Sequence, residues 1–112
     1  MQKDDAIRLR HMLDAAREAR GFAASRSRSD LDRDRQLLLA LVKDVEIIGE
    51  AASRVSAETR MEWPDIPRLD IVAMRHRLTH GYFDIDPDIV WSTVTDDLPP
   101  LIAQLERAVA PH

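Results

Sequence analysis

Between residues 38 and 55 the chain sets apolar side chains at helical spacing: Leu38, Leu41, Val42, Val45, Ile48, Gly49, Ala52 and Val55. Positions so spaced fall on one side of an α-helix, which must then be covered by other elements. Ile47 and Ala51 lie opposite, beside the small Ala40, and suggest a second buried surface on the same helix. A partner stripe runs through Leu9, Met12, Leu13, Ala16, Ala19 and Ala23, which places a first helix over residues 4 to 24. Apolar content is 45%, built mostly from Ala, Leu, Ile and Val, with two Trp, one Tyr, two Phe and three Gly. That mixture favours helices over many short strands. The expected fold class is all-α. A single domain spanning residues 1–112 would form an antiparallel, up-and-down bundle of four to five helices.

Breaks in the pattern locate the remaining helices. "SRSRS" at 25–29 interrupts the first stripe, and Asp30 or Asp32 can cap the second, longer helix. "EWPDIP" at 62–67 holds two prolines within four residues and forbids a continuous helix. Pro67 suits the first turn of a third helix that runs to about His80, where Gly81 can supply a left-handed cap. Asp86 is placed to cap a fourth helix with Pro87 at its first position and Asp88 favourable for its dipole. Val90, Trp91, Val94 and Leu98 follow at helical spacing. "LPP" at 98–100 is expected to kink or restart it before Leu101, Ile102, Leu105 and Val109.

Composition removes several classes of function. Without cysteine there is neither a disulfide framework nor thiolate chemistry, and a reducing, cytoplasmic location is expected. "MQKDDAIRLR" lacks the apolar core of a signal peptide. No apolar run reaches the roughly 20 residues that span a bilayer, so no membrane partner is expected. The net charge of −4 is lopsided: residues 1–82 hold 15 basic and 14 acidic residues, residues 83–112 one Arg and six acids. Acidity argues against indiscriminate nucleic-acid binding, and DNA is not an expected partner, but local patches leave an RNA substrate open.

The densest chemistry lies in "RHRLTHGYFDID", residues 75–86. On the third helix Ile71, Met74, Leu78 and Tyr82 share one direction, and Arg75 falls only about 40° from it. A guanidinium beside a buried stripe needs a partner, because unpaired burial of charge is costly. Glu46 or Glu50 can provide it, as can a bound phosphate, whose geometry suits a bidentate fork. His80 points about 140° away from Arg75 on an ideal helix. The two meet only if Arg75 extends and the helix end loosens at Gly81, or if two copies of the chain share the site. An imidazole there can shuttle protons, although a solitary one would serve simply as a favourable C-terminal cation.

Other chemistries fit less well. His76 and His80 have the i, i+4 spacing of metal ligands, but no cysteine or nearby glutamate completes a set, so neither a metal nor another cofactor is expected. "DIDPD" imitates the start of a calcium loop, yet Ile89 replaces the required glycine and Thr95 the bidentate glutamate. No glycine-rich phosphate loop is present. His11 and His112 read as solvated, as do Arg77 and the "RSR" connector, which otherwise would steer RNA.

"MRHRLTHGYFDID", followed by "VW" and "DLPPL", resembles the HepT-type toxins of the HEPN superfamily. The family signature runs arginine, polar residue, three variable residues, histidine, any residue, tyrosine; here Arg75, His76, His80 and Tyr82 match it. "IIGEA" at 47–51 and "WPDIP" at 63–67 resemble its second helix and proline-bearing connector. The likeness covers residue 35 to the end. His76 stands where Asn is common, and Arg68 where Trp is expected. The resemblance implies a homodimer whose signature helices face a shared cleft, and a metal-independent ribonuclease acting as the toxin of a toxin–antitoxin pair. It assigns catalysis to Arg75 and His80, with His76 in support. Tyr82 would accept AMP from a nucleotidyltransferase antitoxin of MntA-like type. A non-catalytic helical module that partners a nucleotidyltransferase is the alternative.

Overall fold

The computed structural model of the chain describes residues 1–66, 68–79 and 85–110, all in helices and their connections. Helix α1 covers Lys3–Ala23, and a single turn α2 covers Asp30–Arg33. Helix α3 covers Arg35–Ser53, α4 Ala57–Glu62 and α5 Arg68–Thr79. Helix α6, Pro87–Ser92, passes through a wider π turn at Thr93–Asp97 into α7, Leu98–Val109. The four principal rods are α1, α3, α5 and the α6–α7 unit, within the expected all-α bundle. Helix α3 packs between α1 and α5, and α7 covers the other side of α1. The α3 stripe and the α1 stripe both form the core, with Ile71, Met74, Leu78, Val90, Val94, Leu98, Leu101 and Leu105 buried against them. No helix among the described residues is long and apolar enough to cross a membrane.

Three local features depart from the expected boundaries. The long helix is capped by Asp34, not by Asp30 or Asp32: Asp34 is extended, and its carboxylate accepts from the Leu37 N–H at 3.0 Å. The same carboxylate binds Arg26 at 2.9 Å, so the connector folds back and splits off α2. Helix α4 is an element that the periodicity did not anticipate. Ser56 caps it, and Asp5 of α1 accepts from the Ser56 N–H at 3.0 Å and from the hydroxyls of Ser56 and Thr59.

At "LPP" a new α-helix, α7, starts at Leu98 after the π turn, with proline in its first turn, as expected of a restart. Pro99 lacks an N–H, so in the π turn the Val94 carbonyl loses its partner five positions on; the Leu98 N–H already serves Thr93. Arg20 of α1 donates to that freed carbonyl at 3.4 Å. Asp86 does cap α6, accepting from the Asp88 N–H at 2.9 Å, with Pro87 in the first turn. The expected cap at Gly81 and the helical start at Pro67 fall outside the described residues.

Candidate active site

Arg75 sits where α5 crosses α3. The crossing is close because α3 offers Gly49 there: a β-carbon on that residue would stand 2.5 Å from the Arg75 Cβ and 2.6 Å from its Cδ. The arginine stem therefore lies across the missing side chain, and the guanidinium emerges on the outer face of α3. There Nη1 is 3.4 Å from Glu50 Oε2, one of the two carboxylates expected from the sequence. Glu50 is shared, since its Oε1 also holds Arg54 at 2.8 Å. The Arg75 side chain remains 32% exposed, enough to contact a ligand without first unfolding anything.

The exposed part opens into a groove of about 630 Å³ bounded by α1, α3 and α5. Asp4, Ile7, Arg8 and His11 form its α1 wall; Lys43, Glu46, Ile47, Glu50, Ala51 and Arg54 form its α3 floor. The side of α3 containing Ile47 and Ala51, opposite the main stripe, is thus the groove floor. Ala51 is buried, whereas Ile47 stays 36% exposed, as do Ile7, Phe22 and Leu39 to a similar extent.

Arg77 lines a separate cavity between α5 and α7 with Asp70 and Asp97, away from Arg75. Arg26 and Arg28 of the connector are tied down, Arg26 by Asp30 and Asp34 and Arg28 by Asp32 and Asp88. Their role is structural. His76 belongs to α5, but its side chain, like His80 and Tyr82 entire, falls outside the described residues. His11, read from the sequence as solvated, is exposed and lines the same groove as Arg75. Nothing in its neighbouring residues signals this; its place follows from how α1 packs on α3.

One buried acid is set apart from the groove. Asp44 of α3 is 1% exposed, and its Oδ2 has no hydrogen-bond partner among the described residues. Burial, reinforced by the hydrogen-bonded Glu18 carboxyl of α1, pushes the Asp44 carboxyl up to about 7. Asp5 shifts the other way, held below the usual carboxylate range first by the Ser56 hydroxyl despite its burial.

A family model of HepT-like ribonucleases matches residues 12–108. The chain belongs to the HepT-like ribonuclease family. Among its relatives, a probable ribonuclease HepT of Thermococcus cleftensis is 34% identical over 74 residues, 66% of this chain and 67% of that protein. A Methanocaldococcus jannaschii protein, provisionally designated an RNase, is 27% identical over 105 residues, 94% of this chain and 96% of its own. Another provisionally designated RNase, from Caldanaerobacter subterraneus, is 35% identical over 78 residues, 70% of each chain. No solved structure gives a significant match. The matched span includes α3 and α5 and nearly all of α7, and hence Gly49, Glu50 and Arg75 together.

Proposed function

We propose that this chain is the ribonuclease toxin of a toxin–antitoxin pair, cleaving RNA without a metal at a site built from Arg75 and His80. The carrying observation is that Arg75 is both seated and presented: Gly49 fixes its stem, Glu50 fixes its head, and the groove receives its exposed edge. In this reading the RNA 2′-hydroxyl attacks the adjacent phosphorus while His80 accepts its proton. The 5′-oxygen leaves with a proton from the second histidine of a dimer, and a 2′,3′-cyclic phosphate remains. Negative charge grows on the phosphoryl oxygens during attack, and preplaced guanidinium charge stabilises it. His76, beside Arg75 in sequence, supports the site by hydrogen bonding. The second copy is recruited through an apolar patch outside the groove, where Phe22 and Leu39 are exposed, so that two signature helices border one cleft.

Regulation follows from the same charge logic. A nucleotidyltransferase antitoxin transfers AMP from ATP to the Tyr82 hydroxyl, releasing pyrophosphate. The added phosphodiester brings bulk and negative charge close to Arg75 in the chain and repels RNA. The protein works in the cytoplasm, where RNA and ATP are both present.

The test is cleavage of RNA by purified protein in EDTA. Wild type cuts; His80→Ala does not, while keeping its helical circular dichroism. Equal cleavage by that variant would contradict the assignment. The Arg75–Glu50 pair is also compatible with a non-catalytic partner module. An Arg75/His80 double variant that binds the nucleotidyltransferase fully, together with a non-toxic wild type, would favour that second reading.

A further inference from the structure

The groove is longer than one phosphate needs, and its cations are unequal. Arg8 donates to the Arg54 carbonyl at 3.1 Å and stands 3.7 Å from Asp5. Lys43 lies 4.0 Å from Glu46. Arg54 and Arg75 both engage Glu50, at 2.8 and 3.4 Å. Each therefore has an acid or carbonyl already in place. His11 differs: it is exposed on the opposite wall and, among the described residues, makes no hydrogen bond or ion pair. It is the groove's uncommitted side chain able to present an N–H to an anion.

We infer that His11 is a substrate-binding residue, contacting an RNA phosphate that flanks the one held by Arg75. Helix α3 separates the walls that carry the two residues. Neighbouring helix axes lie about 8–10 Å apart, so His11 and Arg75 bracket a span of a few nucleotides rather than a single linkage. A groove of about 630 Å³ has room for such a segment. His11 would then set how the strand lies across α3, while Arg75 acts on the scissile phosphate. This inference rests on the ribonuclease reading for its ligand, but not on His80 or on the cleavage step.

Binding tests it independently of cleavage. A fluorescent 2′-O-methyl RNA oligonucleotide, which lacks the attacking hydroxyl, is titrated with wild type, His11→Ala, His11→Lys and Arg75→Ala. The expected result is that His11→Ala weakens binding, and that His11→Lys, which keeps an N–H donor there, restores it. Unchanged affinity in His11→Ala, with Arg75→Ala weakened, would overturn the inference and leave the ribonuclease reading standing. Failure of the wild type to bind RNA would sink both. If His11→Ala instead alters self-association in sedimentation and leaves RNA affinity alone, a second copy fills this wall and the inference is wrong.

Discussion

Arg75 owes its position to a residue that has no side chain. Replacing glycine by alanine inside a helix ordinarily stabilises it by about 0.5–1 kcal/mol. At Gly49 the new methyl would instead meet the Arg75 Cβ, the first atom of the stem, which cannot swing away without moving α5. Gly49→Ala should therefore destabilise by about 1–3 kcal/mol, the usual range for overpacking, and reduce RNA cleavage at the same time. Thermal unfolding decides the sign. A raised Tm would show that α3 and α5 do not approach this closely. Glu50 as a partner was readable from sequence, because the second helix carries only two glutamates on the relevant turns. The role of Gly49 was not, since a stripe of apolar positions does not say which one a neighbouring helix crosses. His11 was unreadable for the same reason.

Among the elements, the seam between α1 and α3 carries the most distinctive pH signature. Asp44 has a folded-state value of about 7 against an ordinary 3.8, so the native state holds its proton more tightly than the unfolded chain. Its contribution is fully present below pH 3.8 and is lost as pH rises through about 7. Asp5 acts in the opposite sense, with its stabilisation present above the ordinary value and lost as pH falls. Denaturant unfolding should thus show wild type losing stability between about pH 5 and 7 and levelling off above that. Asp44→Asn should flatten that slope; an unchanged slope would remove Asp44 as its source. Asp5→Ala strands the Ser56 and Thr59 donors between α1 and α4 and should cost about 1–3 kcal/mol, read by the same unfolding assay. Helix existence was legible from periodicity, and the Asp86–Pro87 start from local chemistry. Helix α4 and the π turn ahead of α7 depend on Asp5 and Arg20, which arrive from distant parts of the chain. Local pattern carries no record of them.

At the scale of the whole molecule, the proposed chemistry joins two copies of the chain around one reaction. Phe22 and Leu39 are exposed and lie outside the groove, and Leu39→Glu should shift the protein toward monomer in sedimentation velocity while leaving its helicity intact. A variant that remains dimeric would move the interface elsewhere. The family was legible in "RHRLTHGY" because its signature is written within eight consecutive residues of the chain. The groove that receives Arg75 was not, being assembled from three helices far apart in sequence. The most direct test of the central claim, that Arg75 and His80 act on one phosphate, is a double-mutant cycle on RNA cleavage in EDTA. Residues acting as a unit are strongly non-additive, so Arg75→Ala combined with His80→Ala should be no slower than the slower single variant. Losses that multiply in the double variant would mean that the two groups work apart, and the proposed site would fall.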